Sequence, residues 1–194
     1  SAYQVSLEFA KERRQSRALS GPQEPDKPAD SIMVHPDVRR MLLRQKATIE
    51  GSRALAYFTA MQLDIAHKAE SAEEREQADD MVQLLTPIVK AFLTDEGFFC
   101  ANDALQLMGG SGFTQDWPVE QFVRDSRITR IYEGTNGIQA LDLVGRKLGH
   151  AGGRAVKRYF AMMDADKNGS ISSDELLQYL LNAQVDPEEI SLTF

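Results

Sequence analysis

The chain has 194 residues, 42% hydrophobic and 26% charged, with a formal net charge of −7. That length allows one or two domains, and the acidic balance argues against a nucleic-acid surface, which needs a basic face. Cys100 is the single cysteine, so an internal disulfide is excluded and a reducing, cytoplasmic setting is expected. No run of roughly eighteen apolar residues and no signal peptide is visible, so no membrane partner is expected. His35, His67 and His150 show no metal-ligand spacing. Ser1, not a methionine, opens a segment that already reads as helix, so a fragment of a longer protein or a cleaved tag is expected.

From about Tyr3 to Leu19 the pattern predicts a helix with Val5, Phe9 and Ala10 on one side. Gly21, Pro22, Pro25, Pro28 and Pro36 break it into a loop long enough to cover something. A long helix starts at Asp37, with Leu55, Phe58, Met61 and Ile65 at spacings of three and four, and a break falls near Ser71. The next helix carries Met81, Leu84, Leu85, Ile88 and Phe92, has Pro87 inside it as a candidate kink, and runs to Met108, where Gly109 and Gly110 stop it. Pro118 suits the first turn of a short helix from Val119 to about Ser126. Asn136 is a candidate cap for a helix with Ile138, Leu141, Val144 and Leu148. No segment shows sustained alternation, so the expected class is all-α, an up-and-down helical bundle over 1–149. Gly149, Gly152 and Gly153 form a hinge-like joint to a second segment, 150–194, read as helix, calcium loop and helix.

The stretch GGSGFTQDWPVEQFVRDSRITRIYEGTNGIQ, Gly109 to Gln139, combines a glycine turn, an Arg124-Asp125 pair and Glu133 between Tyr132 and Gly134. A carboxylate with apolar neighbours can have its charged form disfavoured, which makes it a better base near neutral pH. Taken alone, a glutamate before a glycine is more often a surface residue or a cap. The glycine cluster, with Gly112, is equally a helix stop and turn. Arg124 and Asp125 read as a structural pair or a solvated face, and Phe113 and Trp117 as packing residues.

The string resembles the C-terminal helical domain of flavin-dependent acyl-CoA dehydrogenases, from about Tyr3 to Leu148 and most densely over Gln106 to Gln139. The loop PQEPDKPADSIMVHPDVRRMLLRQK, the ending GIQALDLVGRKL and the GGRA run at Gly152 to Ala155 are similar to the large subgroup that includes the methylmercaptopropionyl-CoA dehydrogenases. The resemblance implies Glu133 as the base that removes the proton alpha to a thioester while a hydride leaves the beta carbon for FAD. Protonation of that glutamate would remove its charge as enolate-like charge develops on the substrate. In AKERRQSR, Arg13 falls where the family's arginine meets the cofactor pyrophosphate, often across a subunit boundary, and Gln15 follows. Ser16 and Arg17 replace the usual phenylalanine-glycine pair. Gln106, Gly109 and Gly110 fall beside the adenosine half of FAD, and Thr135 and Asn136 beside the flavin ring. Implied partners are an acyl-CoA substrate, an electron-transfer flavoprotein as acceptor, and further copies of the chain in a homo-oligomer. Because family members also need an N-terminal helical domain and a middle β-domain, the isolated chain is expected not to dehydrogenate acyl-CoA by itself.

DADKNGSISSDE, Asp164 to Glu175, matches an EF-hand calcium loop. Calcium is a hard cation that takes six to eight oxygens, which Asp164, Asp166, Asn168, the Ser170 carbonyl, Ser172 and Glu175 can supply. Gly169 sits where the chain must turn, and Ile171 at the apolar position that normally pairs with a second loop. Val156, Phe160 and Met163 before it, and Leu176, Leu177 and Leu180 after it, have helix spacing. The dehydrogenase resemblance is not expected to cover this loop. The plain alternative is an acidic turn that never meets calcium. Two functions follow: part of a dehydrogenase, or a calcium-binding or assembly module with the bundle as scaffold.

Overall fold

In a computed structural model of the chain, residues 1–175 and Gln178 are described. Two compact units emerge, Ser1–Phe58 with Val89–Gln139, and Thr59–Ile88 with the residues from Ala140 on.

In the first unit, Ser1 opens α1 (Ala2–Glu12) with a capping box: its side chain accepts from the Gln4 N–H, and Gln4 Oε1 accepts from the Ser1 nitrogen. The helix stops at Arg13, whose φ of −66° and ψ of 126° are extended. The expected run to Leu19 is therefore shorter by two turns. The physical reason lies in the loop: residues 13–16 pair with 30–32 instead of continuing the i to i−4 ladder. Gln15 N donates to Asp30 O at 3.0 Å, Asp30 N to Ser16 O at 3.0 Å and Ile32 N to Arg13 O at 2.9 Å. The resulting Arg14–Ser31 bridge is isolated, and no strand forms among the described residues.

The loop between these partners folds inward on Asp30, which is fully buried. Its carboxylate accepts from the N–H groups of Ala18, Gln23 and Glu24 and from Arg17 Nη1. Those bonds, the Ala18 N–H first, hold its carboxyl well below the usual carboxylate range. Arg14 ties the loop again through Glu24 at 2.7 Å and Ala29 O at 3.1 Å.

A 3-10 turn, Ile32–Val34, leads to α2 (Pro36–Lys68), and α3 (Ala72–Met108) runs unbroken past the buried Pro87. A second 3-10 turn, Gly109–Phe113, precedes α4 (Val119–Thr129). Pro118 caps α4 from outside rather than sitting in its first turn. The first unit's core joins Ala10, Ile32, Met41, Leu42, Ala104, Leu107, Met108 and Val119. Gly112 belongs to this packing: a Cβ there would lie 2.9 Å from Leu105 O and from Met108 Cβ. Trp117 does pack, edge-on to Phe9 with centroids 5.5 Å apart. Phe113 is 76% exposed, so its expected packing role is not met. Arg124 and Asp125 do not pair with each other; Arg124 lies 3.6 Å from Glu120, and Asp125 accepts from Gln121.

The helix predicted from Asn136 to Leu148 consists of α5 (Asn136–Asp142) and a π turn, Leu143–Lys147, and the predicted glycine joint after it holds a 3-10 turn, His150–Gly153. Ala151, Gly152 and Gly153 are all left-handed, with φ of 48°, 70° and 76°, which turns the chain into α6 (Arg154–Met163). Within the second unit, Arg154 fixes α6 to α3: it ion-pairs with Asp80, which is 3% exposed, and reaches Glu76 Oε1 at 2.9 Å. These carboxylates push its pKa up further.

Candidate functional site

Three groups of predicted residues can be followed. The first lines a cavity of about 560 Å³ in the first unit. Arg13, Gln15, Gly109 and Gly110 all face it, with Phe9, Ser16, His35 and Ser111 beside them. AKERRQSR offers three arginines, and the fold sorts them. Arg14 and Arg17 are consumed by Glu24, Asp30 and loop carbonyls. The Arg13 guanidinium makes no hydrogen bond or ion pair with any described residue, so it remains available to the cavity. His35 Nε2 lies 2.9 Å from Gln15 O; a carbonyl only accepts, so that nitrogen carries the proton. Gly109 has a φ of +58°, and a Cβ on either Gly109 or Gly110 would meet nothing within 4 Å, so the backbone is open to a close ligand. An unpaired guanidinium, amide and hydroxyl groups, and a bare glycine backbone fit a phosphate-bearing nucleotide. Gln106 is exposed on α3 and outside the residues lining the cavity.

The second group is the turn between α4 and α5. Glu133 is exposed, at φ 54°, and Gly134 follows at φ 86°. Two consecutive left-handed residues reverse the chain, and glycine is needed at the second. Among the described residues the Glu133 carboxylate has no hydrogen-bond or ion-pair partner. Large apolar side chains surround it in sequence and stand open: Ile131 is 47% exposed, Tyr132 50% and Ile138 54%. Such a cluster is a surface made to be covered.

Thr135, not Asn136, caps α5: its Oγ1 accepts from Ile138 N at 3.4 Å. Asn136 turns instead to α3. Lys90 Nζ donates to its Oδ1 at 3.0 Å, while its Nδ2 donates to Ala91 O and to Thr94 Oγ1. Thr94 has one hydroxyl proton, directed to Lys90 O at 2.7 Å, so toward the amide it acts as acceptor. Both ends of the Asn136 side chain are thus committed within the fold. Lys90, Thr94, Asp30 and His35 were not marked in the sequence as contributing to any site. Only the i, i+4 spacing of Lys90 and Thr94 in an otherwise apolar stretch hinted at a polar anchor.

The third group is the loop after α6. Carboxylate oxygens of Asp164, Asp166 and Glu175 lie within 4.8 Å of one another. Asp164 accepts from the N–H groups of Asn168 and Gly169, both at 3.0 Å, and is buried. Asn168 Oδ1 accepts from Ser170 N at 2.8 Å. Glu175 accepts from Ser172 N and Oγ and from Asp166 N, and these bonds hold its carboxyl down at about 2. Gly169 is left-handed at φ 83°. Ile171 is half-buried, and 173–175 are helical where the continuous description ends. Leu176, Leu177 and Leu180 lie outside the described residues.

No helix among the described residues is long and apolar enough to cross a membrane. Residues 1–148 match the family model described as acyl-CoA dehydrogenase, C-terminal domain. The chain is 42% identical over 187 residues to a 3-methylmercaptopropionyl-CoA dehydrogenase of Ruegeria pomeroyi, covering 94% of this chain and 31% of that enzyme. The family match ends at 148, before the acidic loop, while the span aligned with this relative extends past it. A butyryl-CoA dehydrogenase of Syntrophomonas wolfei is 38% identical over 160 residues, covering 82% of this chain and 26% of that enzyme. The solved structure of Bd2924 in its apo form superposes with a TM-score of 0.72 at 18% identity, covering 96% of this chain and 33% of that one, which shows the fold alone. The chain spans about a third or less of the length of these relatives. It belongs to the acyl-CoA dehydrogenase C-terminal domain family.

Proposed function

We propose that this chain supplies the catalytic base and part of the flavin site of an acyl-CoA dehydrogenase in the large, methylmercaptopropionyl-CoA dehydrogenase-like subgroup. One observation carries the reading: Glu133 presents an unpartnered carboxylate on a left-handed turn flanked by open apolar side chains. FAD, when bound, accepts the beta-hydride. Glu133 takes the alpha proton of the thioester and becomes neutral as charge builds on the carbonyl side. Ile131, Tyr132 and Ile138 exclude water once the remainder of the enzyme covers them.

Arg13 meets the diphosphate, Gln15 and Ser16 give polar contacts beside it, and Gly109 and Gly110 let the adenosine half approach. Thr135 keeps its hydroxyl proton for the cofactor, because its oxygen already accepts from Ile138. Asn136 serves by holding the turn. The cavity residues do not include Glu133, Thr135 or Asn136, which suits a homo-oligomer in which two copies contribute to one flavin. An electron-transfer flavoprotein is the proposed acceptor, and the 194-residue chain by itself is proposed to be inactive. The test is Glu133→Gln in the holoenzyme, which abolishes turnover and leaves the flavin bound; retained turnover would remove Glu133 from the reaction.

A second reading rests on the carboxylate cluster at Asp164, Asp166 and Glu175: the loop binds calcium, with Asn168, the Ser170 carbonyl and Ser172 completing an oxygen cage. Calorimetric titration checks it. Heat in the wild type and none in Asp164→Ala supports calcium binding, and no heat at millimolar calcium rejects it.

A further inference from the structure

The Glu133 turn is fastened to α3 at both ends, and the fastenings share one face of that helix. At the α4 end, Arg130 ion-pairs with Asp95, and its guanidinium lies 5.2 Å from the Phe98 ring centre and 5.4 Å from that of Phe99. At the α5 end, Asn136 is held by Lys90, Ala91 and Thr94. Positions 90, 94, 95 and 98 recur at helical spacing, so one stripe of α3 receives the whole turn.

Between the fastenings stand Glu133 and Gly134, both left-handed. A glutamate in that region is strained, and such strain persists only where the surroundings over-determine the backbone. The bond from Lys90 is unusual in kind. Its ammonium is half-buried and forms no ion pair among the described residues, yet its charge is directed to a neutral amide oxygen. Charge-assisted bonds are the strong ones, and this one ends three residues from Glu133.

We propose that Lys90 is the positioning residue for Glu133: acting through the Asn136 side chain, it fixes the start of α5 and with it the left-handed turn that presents the carboxylate. The inference rests on the reading of Glu133 as the proton acceptor.

Two measurements test it. In the 194-residue chain, amide hydrogen exchange at Asn136 and Gln139, whose N–H groups donate to Arg130 O and Thr135 O, is compared between wild type, Lys90→Met and Lys90→Gln. Lys90→Met exchanges roughly tenfold faster there, with no change at the Ala18 and Gln23 amides that Asp30 holds. Lys90→Gln keeps a donor and restores most of the protection. In the holoenzyme, Lys90→Met lowers kcat by about tenfold to a hundredfold with little change in KM. The isotope effect of an alpha-deuterated thioester rises, because proton removal then limits turnover; a merely structural loss would not do this. Wild-type exchange, kcat and isotope effect in Lys90→Met overturn the proposal.

If Lys90→Met does not fold, Asn136→Ala removes the acceptor and carries the same reading; wild-type exchange at Gln139 in that variant overturns it too. Glu133→Gln run alongside separates the layers. An inactive Glu133→Gln beside a fully active Lys90→Met refutes the role of Lys90 alone, whereas an active Glu133→Gln refutes the base and the proposal with it.

Discussion

Two loops in this chain are organised by carboxylates that accept backbone N–H groups, and they differ in what answers the negative charge. Around Asp30, three N–H groups and the Arg17 guanidinium converge on one buried carboxylate, so the charge is met inside the fold. Around Asp164, three carboxylates crowd within 4.8 Å, and the donors that reach them are neutral amides and hydroxyls, with no cation among the described residues. The first loop is complete as a piece of protein. The second has its carboxylates met by neutral donors alone, an oxygen-rich arrangement that suits a hard cation on the proposed calcium reading. A polar turn is therefore best judged by the balance of charge around its backbone bonds, since the turn chemistry of the two loops is similar.

The largest effect should come from breaking the complete loop. Asp30→Asn turns an amide NH2 toward N–H donors and leaves Arg17 without its ion-pair partner. We expect a fall in melting temperature of roughly 5–10 °C, with or without calcium. A variant that melts like the wild type would show that Asp30 does not organise its loop.

Next comes added calcium, which tests the proposed calcium reading. With calcium at about a hundred times its dissociation constant, binding to the folded state alone adds ~2.7 kcal/mol. Thermal denaturation should show that shift in the wild type and none in Asp164→Ala. An equal shift in both would place the effect elsewhere.

Acid gives a smaller, graded change. The folded Glu175 carboxyl sits at about 2, below its ordinary value of 4.5. Its contribution is therefore complete above the ordinary value and is lost as pH falls toward 2. Protection of the Ser172 amide, its exchange measured against the intrinsic rate at each pH, should fall on acidification between those limits; constant protection would contradict the bond to Glu175. The smallest effect belongs to Ser172→Ala, which removes one hydroxyl bond to Glu175 and should move that carboxyl part of the way back to 4.5, read by side-chain NMR.

Much of the fold was legible because helices advertise themselves by spacing. The helices α2 and α3 and the stop at Gly109 follow from residues near one another in sequence, although Phe58, Met61 and Phe92 of the predicted stripes stand exposed. The end of α1 did not, because Arg13 to Ser16 are drawn out of the helix by partners some fifteen residues away, and nothing in the local pattern announces a bond from Gln15 to Asp30. The Arg13 corner was legible only through the family resemblance. The sorting of Arg13 from Arg14 and Arg17 is tertiary, set by where Glu24 and Asp30 come to lie. Asn136 looked like a cap because asparagine often is one; its amide instead met Lys90 and Thr94, more than forty residues upstream, and Thr135 took the capping role.

The central claim is that Glu133 removes the substrate's alpha proton. Anaerobic mixing of the holoenzyme with a saturated acyl-CoA thioester, followed by flavin absorbance in a single turnover, tests it without any electron acceptor. The account predicts rapid loss of the oxidised-flavin signal in the wild type and none in Glu133→Gln, with substrate and flavin still bound. Bleaching of the flavin in Glu133→Gln at the wild-type rate would contradict it.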